Sequence, residues 1–304
     1  MNNPLTFPEK KKRRMTGDAV SAYLLILPFF VFFSIFVVYP LIINFFNSFT
    51  NYNLAAKDFI GIGNYTKLLR DQSFLRSVLN TLAFAFFSIV PLMGLGFVAS
   101  LCVNRQSKAM VVARALLMYP YVASMVSVSM IWLYLFDPGS GIFNKILWML
   151  GLPGSDWLFD ERLALPCLIL VNVWKILGYV MIIYLAALQG VPQSQYDAAV
   201  VDGAGFLRGI WHVTLPAIRP VSFFLLATLT IECFKTFEQV RIMTNGGPVD
   251  ATTTITHQIY IRAFSEFKMG YASAMSVVLF VMIFFITILN LKFGGQLDDG
   301  REKS

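Results

Sequence analysis

The chain has 304 residues, of which 57% are hydrophobic and only 13% charged. A soluble domain carries about a quarter of its residues as Asp, Glu, Lys or Arg, so this composition excludes a soluble enzyme, a disordered chain and a secreted disulfide scaffold. The apolar residues gather in blocks near the ~20 residues that cross a bilayer as a helix, and nothing shows the short alternating strands of a barrel. The predicted class is an all-α integral membrane protein.

In chain order, residues 1–18 form a basic tail containing Lys10, Lys11, Lys12, Arg13 and Arg14. Residues 19–293 form one membrane domain with predicted spans at 19–46, 79–103, 111–136, 163–188, 221–240 and 272–291, and residues 294–304 form a second tail. The first block is too long for a signal peptide and lacks a small-residue cleavage site, so it is read as a retained helix. Placing the N-terminus inside puts thirteen of the 24 Lys and Arg on the cytoplasmic side and nine outside. The N-terminal cluster decides this orientation, because the first helix usually dominates topology. Both termini are then cytoplasmic, and the net charge of +7 is an orientation signal rather than a nucleic-acid footprint.

Between the first two spans, Asn64–Asn80 places Leu68, Leu69, Leu75, Val78 and Leu79 at roughly helical spacing, which predicts a short interfacial helix. Gly246-Gly247-Pro248 predicts a turn. Cys102, Cys167 and Cys233 each lie inside an apolar run, far apart, and read as small buried hydrophobes rather than a disulfide or metal set. The Phe residues of the first span read as lipid-facing or core packing.

The stretch Val191–Pro220 follows the fourth span. Ser194 with Asp197 three residues later predicts a capping box and a helix from Gln195. Ala198 and Ala199 give that helix a smooth face, and Asp202-Gly203-Ala204-Gly205 ends it, since Gly permits the left-handed turn. A second short helix, Phe206–Thr214, leads into the fifth span. The residues alone allow either a re-entry loop packed under its own bundle or a docking surface for another protein.

The spacing Asp197-Ala198-Ala199-x3-Gly203-x9-Val213-x-Leu215-Pro216 resembles the EAA loop of ABC-importer permeases, with Asp197 in place of Glu and Val213 in place of Ile. The resemblance extends over nearly the whole chain, to carbohydrate-uptake permeases of the maltose-transporter kind. It is carried by Tyr39-Pro40, Ser48-Phe49-Thr50, Gly63-Asn64-Tyr65, Asn80-Thr81 and Leu133-Tyr134-Leu135-Phe136-Asp137-Pro138. Val173-Trp174-Lys175, Thr244-Asn245-Gly246-Gly247-Pro248 and Gly270-Tyr271-Ala272-Ser273-Ala274 continue it. The resemblance implies that residues 191–216 are a coupling loop, with Asp197, Ala198, Ala199, Asp202, Gly203 and Ala204 docking on an ATPase. It implies further partners: a homologous second permease, an ABC ATPase dimer, an extracytoplasmic solute-binding protein, lipid, and a sugar substrate.

No G-x-x-x-x-G-K-[ST] phosphate loop occurs, so no cofactor is expected in this chain, and ATP with Mg belongs to the partner ATPase. The two histidines, His212 in the loop and His257 in an outer segment, have no nucleophile or acid beside them in sequence, so no catalytic constellation is expected.

Ionisable residues inside spans are costly and point to a lumen or a functional site. Lys175, Glu232 and Lys235 qualify, though an ion pair of Glu232 with either lysine, serving only to join helices, satisfies the same observation. On the fifth span Leu229, Cys233, Thr236 and Val240 share a stripe with Glu232 beside it, and on the fourth Asn172, Lys175, Ile176 and Tyr179 share another. Hydrogen-bonding groups with aromatic rings suit sugars, so Asn172, Lys175, Tyr179, Glu232, Cys233 and Thr236 are candidate pathway residues. Resembling permeases add the third span near Tyr121 and Ser124. Glycerol-3-phosphate is an alternative substrate, since two lysines meet a phosphate. A stand-alone ion-coupled transporter is the rival class, and a pair of broken helices would favour it.

Overall fold

The computed structural model describes residues 17–295. The basic cluster Lys10–Arg14 and the C-terminal Arg301 and Lys303 lie outside the described residues. Five helices are long and apolar enough to cross a membrane, or six when one bent pair counts as a span.

The first span runs through Gly17–Phe33, a π-helical turn at Ser34–Val38 and Tyr39–Asn47. The π turn contains Phe36, four residues before Pro40. A proline ring clashes with the carbonyl of residue i−4 and donates no hydrogen bond there, and widening the turn relieves both. The same spacing recurs at Ile210–Thr214, which holds His212 four residues before Pro216. From Ala22 to Ile43 the first span is exposed on all sides, the phenylalanines included. Among the described residues, its packing on the bundle is mainly that of Tyr39–Asn47 against the sixth span. The phenylalanines stack on one another instead, Phe29 on Phe33 and Phe32 on Phe36.

The second span begins at Gln72 rather than near Leu79 and ends at Val103. The predicted interfacial helix is therefore two pieces: a short helix Gly63–Leu68 and the start of the span itself. Asp71 divides them, its Oδ1 accepting the Phe74 amide at 3.2 Å as an N-cap.

The third predicted span is not one helix. It consists of Lys108–Val122 and Met125–Leu135, bent by 97° at Ala123-Ser124. The fourth is unbroken from Ala164 to Gln189. The fifth comprises Phe206–Gly209, the π turn and Leu215–Phe234, stops at Lys235, and resumes as the short helix Glu238–Met243. That short helix packs on Met125–Leu135, the second half of the third span. The sixth is Met269–Gly295.

The most extensive packing joins the second and fourth spans, with the fifth laid against both. Phe84, Leu92, Leu168, Val171, Leu225, Leu229 and Met275 fill the centre. Between membrane helices small residues set the approach distance, and here they are Gly96 and Gly178, each closed against a neighbouring helix.

The Gly246-Gly247-Pro248 turn forms as expected. Asn245 and Gly246 adopt positive φ, and the Thr252 hydroxyl donates to the Gly247 carbonyl at 2.8 Å. Beneath it His257 is 3% exposed on the helix Ile255–Tyr260, and neither ring nitrogen has a hydrogen-bond partner. Burial, with help from nearby Arg241 and against Asp250, holds its pKa below the ordinary value. A depressed histidine costs the native state nothing at neutral pH and loses stability as pH falls through the unfolded value of about 6.5. Acidification to pH 5 is expected to lower the thermal unfolding midpoint of the purified protein, and His257→Gln is expected to flatten that part of the profile. An equal acid loss in the variant would assign the sensitivity to other groups.

Candidate functional site

The two interruptions face each other across the unbroken fourth span. Backbone that leaves helical geometry at membrane depth must line a cavity or be covered by protein. Here the third-span bend and the stop at Lys235 border a cavity of about 730 Å³, within the roughly 300–1,000 Å³ usual for ligand sites.

Five of the eight sequence-predicted pathway residues meet there: Tyr121, Asn172, Lys175, Glu232 and Thr236. Tyr179 stands behind them, its ring stacked on Tyr121 at 4.9 Å between centroids. Ser124 sits exposed at the bend, preceding Met125–Leu135 without capping it through its side chain. Cys233 instead lies in the core, 2% exposed, and the Asn172 amide points at its sulfur from 3.9 Å.

Lys175 pairs with no carboxylate among the described residues. Its Nζ donates to the Tyr121 backbone carbonyl at 3.0 Å and lies 5.5 Å from the centre of the same residue's ring. Glu232 takes part in no ion pair among the described residues, so the helix-joining ion pair is not made. The short helix after the fifth-span stop adds Glu238 and Gln239, whose amide donates to the Thr236 hydroxyl at 3.0 Å. Neither was expected from sequence. The signal available was the spacing Glu232, Lys235, Glu238, which repeats charge every three residues at a span end.

At the other end of the bundle, the segment after the fourth span folds as a helix Gln193–Val201, a turn, and Phe206–Thr214. The predicted capping box is absent. Pro192 occupies the N-cap position, the helix starts at Gln193, and Asp197 Oδ1 accepts the Gln193 side-chain amide at 3.2 Å. The expected left-handed turn is present: Gly203 has φ +74°, and the Ala204 amide donates to the Ala199 carbonyl at 2.8 Å. Tyr196 and Thr214 join hydroxyls at 3.2 Å and hold the two helices together.

Ala198, Ala199, Asp202 and Ala204 wall a cleft with Arg208 and His212. Asp197 and Gly203 lie exposed beside it. His212 is exposed as well and meets the Arg208 carbonyl at 3.0 Å. Val201 is 87% and Phe206 76% exposed, so nothing among the described residues covers the turn. Clustered exposed apolar side chains mark an interaction surface.

Comparison with known proteins agrees with this architecture. The chain is 34% identical over 245 residues to the sn-glycerol-3-phosphate transport system permease protein UgpA of Yersinia pestis, covering 78% of this chain and 81% of that one. It is 31% identical to the trehalose/maltose transport system permease protein MalF of Thermococcus litoralis, over 97% of this chain and 98% of that one. The fold matches a chain of a bacterial ABC transporter involved in the import of the acidic polysaccharide alginate, with a TM-score of 0.83, 24% identity and coverage of 92% and 96%. Residues 93–294 match the family of binding-protein-dependent transport system inner membrane components, and the chain, a multi-pass membrane protein of this fold, belongs to that family.

Proposed function

We propose that this chain is one permease subunit of an ATP-driven importer, forming part of the path for an oligosaccharide or related neutral sugar. A solute-binding protein delivers the sugar outside, a homologous second permease completes the path, and an ATPase dimer carrying ATP and Mg grips residues 191–216 from the cytoplasm. Both termini lie on that cytoplasmic side. The tails at 1–18 and 294–304 flank the one membrane domain.

The observation that carries this reading is the uncovered helix–turn–helix at the end of the bundle opposite the outer loops. Its exposed valines and Phe206 need a partner, and Asp197, Ala198, Ala199, Asp202, Gly203 and Ala204 supply a narrow, smooth surface for one. Tyr121, Ser124, Asn172, Lys175, Tyr179, Glu232 and Thr236 form or border the substrate path. Cys233 supports it from behind.

The cavity favours a neutral substrate over glycerol-3-phosphate. It is lined by two lysines and two glutamates with no arginine, and one lysine is already engaged by a carbonyl. A phosphate site normally concentrates uncompensated cations and forked arginine donors.

Two measurements test the reading. Uptake into vesicles should vanish when the co-purifying ATPase is omitted. Gradient-driven uptake without it would instead establish an ion-coupled transporter.

The second measurement uses Gly203. A Cβ there meets nothing within 4 Å, so substitution costs only backbone strain, about 1–2 kcal/mol for a side chain in left-handed geometry. Gly203→Val should therefore leave the bundle folded while weakening ATPase retention or substrate-stimulated ATP hydrolysis about tenfold, 1.4 kcal/mol being a factor of ten. Normal assembly and transport in that variant would remove the coupling role.

A further inference from the structure

At the end of the bundle opposite the coupling segment, the loop after the first span folds back on the start of the sixth. The Asn64 amide donates to the carbonyls of Ser48 at 2.9 Å and Thr50 at 2.8 Å, and the Gly270 amide donates to the Tyr52 carbonyl at 2.8 Å. A Cβ on Gly270 would lie 2.1 Å from the Thr50 carbonyl oxygen, so loop and span are in backbone contact and the walls are fixed. Between them opens a cleft of about 530 Å³.

Four cations border it: Lys67, Arg70, Arg262 and Lys268. Of the nearby carboxylates, Asp58 accepts the Asn51 amide at 3.0 Å, and Asp71 and Glu266 are committed to cations. Asp71 caps the second span, accepts the Tyr271 hydroxyl at 2.7 Å and faces Arg262 at 3.5 Å. Glu266 holds Arg262 at 2.5 Å and Lys268 at 2.7 Å. Lys67 and Arg70 are exposed and form no ion pair among the described residues. Three internal ion pairs thus hold the rear of the cleft, while Lys67 and Arg70 stand at its rim with no ion pair among the described residues.

From this arrangement we infer that the cleft receives a carboxylate-bearing side chain from the surface of the solute-binding protein. The inference rests on the proposed importer function. The charge excess selects an anion. Asn51 is held by Asp58, and the Asn53 Oδ1 by the amides of Ala55 and Ala56, so these two residues and Tyr52 form a fixed polar wall suited to a protein surface rather than to an acyl chain. Arg70 supplies the forked donor geometry that a carboxylate accepts on two oxygens. Charges at such a rim steer encounter, and their effect falls as salt screens them.

The test uses the complete complex in phosphatidylcholine vesicles, with ATP hydrolysis followed against the concentration of the solute-binding protein that stimulates the wild type. The double variant Lys67→Glu, Arg70→Glu should raise the half-saturating concentration about tenfold or more, because it sets like charges face to face across the interface. High salt should raise it for the wild type and much less for the variant. Identical half-saturation in variant and wild type overturns the inference, and if the variant does not assemble, a flat wild-type salt response does so. A defect that appears only when phosphatidylglycerol is added would make a lipid headgroup the occupant, which also overturns it. If the wild type responds to no binding protein at all, the importer reading itself has failed, and that result is visible without the variant.

Discussion

Gly178→Val should abolish transport and sharply lower the yield of folded protein. A Cβ at this position would sit 2.0 Å from the Leu117 carbonyl oxygen and 2.7 Å from the Met118 Cα. Both atoms belong to backbone, so no side chain can rotate away, and the third and fourth spans must separate. Overpacking of a close-packed interior costs about 1–3 kcal/mol for a few methylenes, and a backbone clash leaves the least room to relax. Gly178→Ala should show the same loss in milder form.

Separation there would also displace Tyr121, one turn beyond Leu117, from Lys175, so the cavity suffers with the packing. Gly94→Ala is the matched control. It lies on the second span, where an added methyl group would meet nothing within 4 Å, and replacing Gly by Ala in a helix gains up to about 1 kcal/mol. Thermal unfolding in detergent together with vesicle uptake decides the matter. A Gly178→Val protein that melts and transports as the wild type does would show that the two helices do not meet closely in the working molecule.

The fold class was legible because it depends on bulk properties. Block length, apolar content and the basic start report which segments prefer hydrocarbon, and they did not need geometry. The turn at Gly203 was legible for a different reason: a left-handed residue leaves a local mark, namely Gly after a short helix.

The two helix interruptions left no such mark. Residues 111–136 are apolar apart from Arg114 and a few serines, and Pro120 lies inside the helix that precedes the bend rather than at it. Hydropathy counts how much of a segment avoids water, not whether its axis turns. The misplacement of Cys233 follows from this. A stripe at i, i+4 and i+7 holds only on a continuous helix, and the fifth-span helix ends at Phe234. Leu229 and Cys233 therefore face the core together, while Thr236, beyond the stop, faces the cavity. The partner of Lys175 was hidden for the same reason, because the carbonyl it holds is left open only by a bend that composition does not show.

That carbonyl is the basis of the second large effect, a loss of transport in Lys175→Met. Tyr121 lies in the last turn of Lys108–Val122, where carbonyls have no partner within the helix. Elsewhere a helix continues or water answers the need. At the bend, the Lys175 ammonium supplies the hydrogen bond, and its charge is well placed at a helix C-terminus. Methionine keeps much of the side chain's apolar bulk but leaves the carbonyl without its donor, at a cost of up to about 1–3 kcal/mol where water does not take the lysine's place. The bend would then be held in place roughly 5- to 150-fold less well, taking 1.4 kcal/mol per factor of ten.

If Lys175 serves as this positioning residue, Lys175→Arg should retain most transport, since a guanidinium also donates to a carbonyl. Tyr121→Phe should change little, because the contact is to the backbone and the stacking on Tyr179 needs only a ring. Glu232→Gln should affect substrate half-saturation more than maximal rate, as expected for a group that lines the cavity without an ion partner. The profile that would defeat the assignment is the opposite one: Lys175→Met raising only the half-saturating substrate concentration, with Lys175→Arg as impaired as Lys175→Met. Lys175 would then be a substrate ligand, and the bend would be held by packing alone.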